Sequence, residues 1–189
     1  MKKVFFICFI FNAGILLAQT PPAVTATKTA GQVMLPANDI ITNIALSKEL
    51  STFYKLINIT GLNQTFSSKG PITVFASTNQ SFAKLSKGKT DTLLMPEHKY
   101  DLIALITYHI IAGKISAKDI IHQINTHKGR ATLITITGSK LTASLNANHN
   151  IVLTDENGGQ STLSQFDIKQ SNGLIHIVDS VLIPKFKII

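Results

Sequence analysis

Beyond its first eighteen residues this sequence contains no cysteine, and the whole chain of 189 residues has no tryptophan and a single arginine, Arg130. Without cysteine, that part of the chain can form neither a disulfide nor a cysteine-ligated zinc site, and thiol catalysis is excluded. Proteins that read nucleic acids concentrate arginine and stacking aromatic side chains in one region. Here the net charge of +8 comes almost entirely from lysines scattered along the chain. We therefore expect a solvated basic surface and no nucleic-acid partner.

The common motifs of enzymes are also missing. The sequence has no nucleophile elbow, no phosphate-binding loop, no dinucleotide fingerprint and no zinc-protease helix motif. The acidic, glycine-rich stretch from Asp155 to Gly159 lacks the ligand spacing of a calcium loop, so we predict a surface turn there. These absences predict a protein that is not an enzyme and that holds no metal and no cofactor.

The N-terminus has the pattern of a secretory signal peptide. Lys2 and Lys3 precede an uncharged, largely apolar run from Val4 to Ala18, and Ala18 is a small residue suited to cleavage. That run of fifteen residues is shorter than the roughly 20 that span a bilayer. We predict a signal peptide over residues 1–18, of a short bacterial type, with no stable membrane span after cleavage; an uncleaved anchor is the alternative. The protein is then expected to be secreted, periplasmic or at the cell surface.

Composition divides the rest of the chain into a linker and one domain. Residues 19–36 are rich in proline, threonine and alanine without a hydrophobic period, which predicts a linker. Residues 37–187 then form one domain, whose first half has helical patterns and whose second half alternates as strands do. Helices followed by an antiparallel sheet indicate an α+β fold.

Several polar residues are placed to begin helices. Asp39 precedes a run of isoleucines, Ser47 precedes an apolar helical stripe, and Asn79 precedes another short helix. Ser116 and Asp119 have the spacing of a capping box, in which each side chain bonds the other residue's backbone N–H. The sequence thus predicts four helix starts from local patterns alone.

The segment from Asn172 to Pro184, NGLIHIVDSVLIP, carries a histidine and an aspartate in an apolar run. If it is a strand, His176 and Asp179 point to opposite faces and lie roughly 10 Å apart, too far for a catalytic dyad. Both faces are apolar, which predicts burial on both sides. Because buried polar groups need hydrogen-bond partners, we expect both residues to tie the strand to its neighbours. His109 ends the apolar stripe of a helix and is likewise expected to be a core residue.

Three segments of the chain resemble those that characterise the fasciclin domain family. They are GPITVFASTNQSFAKL (Gly70–Leu85), TYHIIAGKISAKDI (Thr107–Ile120) and QSNGLIHIVDSVLIP (Gln170–Pro184). Their order and spacing fit one copy that covers nearly all of residues 37–187. One departure is Ser77, where the family usually has proline. The resemblance implies a fasciclin-like β-sandwich wedge flanked by several α-helices, in a secreted, single-domain member of bacterial type.

The resemblance also implies which residues bind a partner and which hold the fold. In animal relatives, integrin binding is assigned to a Tyr-His segment and two Asp-Ile pairs. The matching residues here are Tyr108, His109, Asp119, Ile120, Asp167 and Ile168. The motif residues with an expected structural role are Thr73, Phe75, Thr78, Asn79, Phe82, Asn172, Gly173, His176, Asp179 and Pro184.

Three functions are open at this point. The first is a secreted, non-enzymatic adhesion or matrix-interaction module, expected to be a monomer, that binds a cell-surface or matrix protein or a polysaccharide. The second is a periplasmic carrier of a small apolar or glycan ligand, for which the 44% hydrophobic content would allow a pocket. The third is a hydrolase whose serine, histidine and aspartate are brought together only by the fold. The missing catalytic motifs and the resemblance favour the first.

Overall fold

Regular structure is present within the segment that the sequence predicts to be a linker. The computed structural model describes residues 27–29, 32–68, 70–86 and 88–185. The predicted signal peptide, residues 1–18, lies outside the described residues. Within the segment predicted as a linker, Thr27–Thr29 (β1) and Gln32–Met34 (β2) pair as antiparallel strands. Met34 is buried among core residues of the domain, so packing begins inside that segment.

Helices form where caps and apolar stripes coincide. In the described part of the chain they are α1 (Ile40–Leu46), α2 (Ser51–Thr60), α3 (Asn63–Ser68), α4 (Asn79–Ala83), α5 (Lys89–Leu93), α6 (Lys99–Tyr108) and α7 (Ala117–Thr126), with 3₁₀ turns at Lys48–Leu50 and Pro96–His98. Asp39 begins α1 by accepting a hydrogen bond from the amide of Thr42 at 2.7 Å, which confirms the predicted cap. Ser116 and Asp119 begin α7 as a reciprocal capping box, as predicted.

Two of the predicted caps are wrong, and one side chain explains both. Thr78, not Asn79, caps α4. Asn79 instead reaches the first turn of α2, where its Oδ1 accepts from the amide of Thr52 at 2.9 Å and its Nδ2 donates to the carbonyl of Lys48 at 2.9 Å. Ser47 makes no side-chain capping bond. The free amides at a helix start can donate to any nearby acceptor. At the start of α2 that acceptor is Asn79, which is near in space and distant in sequence.

The remaining strands form one mixed sheet. In the described residues they are β3 (Ile72–Ser77), β4 (Ile110–Ala112), β5 (Arg130–Ile134), β6 (Lys140–Leu145), β7 (Ile151–Thr154), β8 (Gln160–Gln170) and β9 (Gly173–Val178). Their order is β4-β3-β9-β8-β7-β6-β5, with β3 and β9 parallel and the other neighbours antiparallel. The two edge strands meet where Ile111 bridges Thr135, so the sheet nearly closes into a barrel. The α+β wedge predicted from the sequence is confirmed.

Two apolar cores lie on either side of β3 and β9. The helical core, between these strands and the helices, includes Ile40, Ile44, Phe53, Ile57, Val74, Ala76, Leu102, Ile106, Ile175 and Ile177. The barrel core, inside the curved sheet and closed by α7, includes Phe75, Tyr108, Ile120, Leu133, Leu141, Leu153, Leu163, Val178 and Leu182. All six residues of β9 are buried, which confirms the predicted burial on both faces. Each fully buried aliphatic or aromatic side chain stabilises the fold by roughly 1.5–3 kcal/mol.

Strand β8 is the element that the sequence patterns do not predict. Its alternation of buried and exposed residues is interrupted by two register shifts against β9. The irregular stretch lets the strand pass between the cores, with Leu163 in the barrel core and Ile168 in the helical core. Asp167 within this stretch has a left-handed backbone with φ of +58°. An irregular strand that serves two cores lacks the period-2 pattern by which strands are recognised.

Candidate functional site

His176 lies at the centre of the fold and is fully buried. Its Nδ1 accepts a hydrogen bond from the amide of Asp167 at 3.2 Å, so its Nε2 carries the proton and donates to the carbonyl of Ile115 at 2.9 Å. The ring stacks on Phe75 with centroids 5.4 Å apart. Burial lowers the pKa of His176. The histidine therefore joins β8, β9 and the segment before α7 as a neutral side chain.

Asp179 and His176 have different hydrogen-bond partners. Its Oδ1 accepts hydrogen bonds from the amide of Thr162 at 2.8 Å and from the hydroxyl of Ser161 at 3.3 Å. Both partners lie in the first half of β8, whereas His176 contacts Asp167, further along β8, and Ile115. The two residues thus tie β9 to its neighbours separately and form no dyad with each other.

His109 and Ser77 form a buried pair with a superficial likeness to part of a catalytic triad. The Oγ of Ser77 lies 3.1 Å from Nε2 of His109, and both residues have no exposed surface. The same Nε2 accepts from the amide of Leu182 at 3.3 Å, and Nδ1 donates to the carbonyl of Leu105 at 2.8 Å. A triad needs a carboxylate on that second nitrogen and an accessible nucleophile. The pair instead holds the segment after β9 against α6.

Tyr108 is equally inaccessible. Its ring lies in the barrel core, and its hydroxyl donates to the carbonyl of Lys140 at 2.8 Å and accepts from the amide of Glu156 at 3.2 Å. Burial raises the pKa of the Tyr108 phenol above its ordinary value. The Tyr-His segment that the family resemblance assigns to partner binding is therefore an interior feature of this chain.

Replacing Tyr108 by phenylalanine is expected to lower the free energy of unfolding by about 1–2 kcal/mol, because two backbone groups lose their partner. Urea denaturation followed by circular dichroism measures this loss. Tyr100→Phe is the matched control, since Tyr100 is 83% exposed and its change should be within about 0.5 kcal/mol of zero. Unchanged stability together with lost adhesion would identify the Tyr108 hydroxyl as a contact group.

The two Asp-Ile pairs, distant in sequence, meet at the start of α7. Asp119 accepts from the amide of Ser116 at 2.9 Å, and Asp167 accepts from the amide of Ala117 at 2.8 Å. Hydrogen bonds from Ser116 lower the pKa of Asp119. Both carboxylates thus satisfy free amides of the first helical turn, where negative charge is favoured. Their neighbours Ile120 and Ile168 are buried, so the aspartates alone reach the surface.

Other residues of the motif have structural contacts. Thr73 donates to the carbonyl of Gly113 at 2.7 Å and accepts from the amide of Ile115 at 2.9 Å. Asn172 accepts from the amide of Ile40 at 3.0 Å and donates to the carbonyl of Phe66 at 2.7 Å. Phe75, Phe82, Gly173 and Pro184 are buried. These contacts connect the loops and strand ends to the two cores.

The turn that begins at Asp155 has a role that sequence reasoning missed. Asp155 accepts from the amides of Asn157 at 2.9 Å and Gly159 at 2.8 Å, which closes the turn. Its second oxygen accepts from the amide of Ile183 at 3.1 Å, and Asn157 donates to the carbonyl of the same residue at 2.9 Å. The turn therefore clamps the segment after β9. The Asp-x-Asn pattern signals such a turn, but only the fold places Ile183 beside it.

A surface pocket of about 290 Å³ lies between the start of α2 and α4, lined by Lys48, Glu49, Thr78, Asn79 and Gln80. Ligand pockets are usually larger and mostly apolar, so this one does not suit a small apolar ligand. Within the described ranges, no group of three or more histidine, cysteine, aspartate or glutamate side chains is placed to hold a metal ion. In the same residues no helix has the length and apolar character of a membrane span.

Sequence comparisons relate this chain to proteins from bacteria and animals. The sequence profile described as Fasciclin domain matches residues 48–184. Protein sll1483 of Synechocystis is 30% identical over 149 residues, which are 78% of this chain and 74% of that protein. Immunogenic protein MPB70 of Mycobacterium bovis is 30% identical over 168 residues, 89% of this chain and 71% of that protein. Periostin of Homo sapiens is 27% identical over 141 residues, 75% of this chain but 15% of that protein.

Among solved structures, the fold is similar to a FAS1 domain pair from the insect cell adhesion molecule Fasciclin I. The TM-score is 0.67 at 16% sequence identity, and the match covers 79% of this chain and 51% of that one. At this identity the likeness establishes the fold alone. This chain therefore corresponds to about half of the domain pair.

Proposed function

The chain belongs to the fasciclin domain family, and from this premise we propose that it is a secreted, non-enzymatic adhesion or matrix-interaction module. It acts in the periplasm or at the cell surface, where it binds a protein or polysaccharide partner. The proposal depends mainly on the position of the residues whose types occur in catalytic sites. Ser77, His109 and His176 are all buried and hydrogen-bonded within the fold. Side chains so enclosed hold structure and cannot meet a substrate.

The partner-binding residues implied by the family divide into two groups. Four of them are buried and pack beneath the proposed binding surface: Tyr108, His109, Ile120 and Ile168. Asp119 is exposed and Asp167 is half-buried, and both lie at the start of α7. We therefore place the contact surface around the first turn of α7 and the irregular stretch of β8.

An attachment assay in the native host tests this function. A deletion strain is expected to attach less well to surfaces than its parent, and attachment should return when the full-length gene is restored. Purified protein added to the deletion strain should also bind the cells and restore part of the attachment. A Gly173→Ala protein, which should not fold stably, is the control for non-specific charge effects. Normal attachment of the deletion strain, with no binding of purified protein to cells, would refute the proposal.

A further inference from the structure

Phe166 presents an aromatic ring on the outside of β8, with 54% of its surface exposed. It lies between Gln165 and Asp167, in the stretch where β8 has two register shifts against β9. Bulges of this kind redirect single side chains and often lie beside binding sites. The irregular stretch thus places an apolar ring in solvent at the surface proposed above for partner contact.

The backbone on both sides of this ring is held in place. Gln165 pairs with Ile177 of β9. Asp167 donates its amide to His176 at 3.2 Å and accepts the amide of Ala117 at 2.8 Å. Asp167 also keeps a φ of +58°, a conformation that residues other than glycine adopt rarely and at a cost in stability. A ring on a fixed backbone loses little conformational entropy when it binds a ligand.

Three lysines lie in the segments that are bonded to this stretch of β8 or continue it. Lys118 follows the residue whose amide Asp167 binds, Lys114 precedes the residue whose carbonyl His176 binds, and Lys169 lies further along β8. All three lysines are exposed. The carboxylates of Asp119 and Asp167 accept hydrogen bonds from amides at the start of α7, which orient them without removing their negative charge. The chain as a whole carries a net charge of +8, so a polyanion is attracted to its surface.

We propose that Phe166, Lys114, Lys118 and Lys169, together the Phe166 face, bind an acidic polysaccharide. The ring packs on the apolar C–H face of a sugar, and the ammonium groups pair with its carboxylate or sulfate groups. This inference rests on the proposed adhesion function and names the chemical class of the partner. One aromatic residue among lysines is a poor centre for a protein interface, because lysine is depleted there. A repeating acidic polymer instead presents the same anionic and apolar groups at many positions, which suits a small face of one ring and exposed lysines.

Affinity electrophoresis and thermophoresis of the full-length protein with polygalacturonate and alginate test this proposal, with neutral dextran as the reference polymer. Binding to both acidic polymers is expected at low salt, with marked weakening at 0.5 M NaCl and no binding to dextran, because exposed charges are screened. Phe166→Ala should weaken binding by about tenfold or more. Lys118→Gln and Lys169→Gln should each weaken it by about threefold and reduce its salt dependence.

Matched variants separate this face from general charge and folding effects. Tyr100→Ala removes another exposed aromatic residue and Lys55→Gln another exposed lysine, and neither should change binding. Phe166→Leu keeps an apolar side chain and should fold normally, so weaker binding by this variant supports stacking on the ring. Equal losses for Tyr100→Ala and Phe166→Ala would overturn the proposal.

Two further outcomes would also overturn it while leaving the adhesion function intact. The first is cell binding by the wild-type protein without any binding to acidic polymers. The second is loss of binding to the acidic polymers in the Asp119→Asn, Asp167→Asn double variant. This variant keeps the hydrogen-bond acceptors and removes both negative charges. An acidic polymer should bind that variant at least as well as the wild type, whereas a receptor that reads the carboxylates should not.

Discussion

Gly173→Ala is expected to destabilise the domain by at least about 3 kcal/mol, because the new methyl group has no space. A Cβ atom at this position would lie 1.9 Å from the carbonyl oxygen of Ile72 and 2.9 Å from Cδ1 of Ile40. The first contact is with backbone of the parallel strand β3, where Ile72 and Gly173 are register partners. Relief requires β9 to move away from β3 at the centre of the sheet, which would disturb both cores. Native domains are stabilised by only about 5–15 kcal/mol, so this loss is a large fraction of the total.

Thermal and urea unfolding followed by circular dichroism measure this effect, together with the yield of soluble protein. Gly138→Ala is the comparison variant, because Gly138 has a φ of +82° and a Cβ added there would have no atom within 4 Å. Its alanine variant should lose only about 1–2 kcal/mol through backbone strain. A smaller loss for Gly173→Ala than for Gly138→Ala would contradict the packing between β3 and β9.

Acidification from pH 6.5 to pH 4 is expected to remove about 3 kcal/mol of stability through His109. Burial lowers the pKa of His109 from 6.5 to about 4, because the charged ring would lose its hydration. Protonation of Nε2 would also remove the acceptor of the Leu182 amide. In this window the unfolded chain binds a proton that the native state does not bind. Stability is therefore complete above pH 6.5, falls as the pH decreases, and stops falling from this cause below about pH 4. The pKa of His176 is lowered as well, so it acts in the same direction.

Urea denaturation at several pH values between 7 and 4 measures the slope. His109→Gln keeps a side-chain acceptor for Leu182 but does not titrate, so its stability should depend less steeply on pH. His122→Gln is the comparison variant, because it replaces an exposed histidine on α7 in the same way. A flat profile for the wild-type protein, or equal slopes for wild type and His109→Gln, would contradict the buried neutral state of His109.

The helix caps show which contacts can be read from sequence. Asp39 caps α1, and Ser116 caps α7 with Asp119, as the local patterns predict. These interactions join residues three apart, so the chain itself brings them together. Asn79 has the same chemistry, yet it caps α2 from 27 residues away because α4 packs beside the start of that helix. A local pattern identifies a group able to cap, but not which helix end lies next to it.

In the candidate site, too, some features follow from local sequence patterns and others depend on the fold. Strand parity places His176 and Asp179 on opposite, apolar faces of the last strand segment. Because buried polar groups need hydrogen-bond partners, the two residues need separate ones. The placement of Tyr108 and His109 in the interior agrees with the apolar stripe of α6. By contrast, the meeting of Asp119 and Asp167 at one helix start and the exposure of Phe166 depend on the irregular course of β8. That course has no periodic pattern by which sequence reasoning could detect it.

The sequence by itself determined the class of fold, the family, the caps of α1 and α7, and the burial of the last strand. These properties depend on hydrophobic periodicity, on contacts between residues a few positions apart, and on motif residues in a characteristic order. Tertiary structure alone decided that Asn79 serves another helix, that two distant aspartates satisfy the same helical turn, and that Phe166 faces solvent. The first arises because α4 packs beside the start of α2, and the other two arise from the irregular course of β8 between the two cores. Packing between distant segments is set by three-dimensional neighbours rather than by adjacent residues.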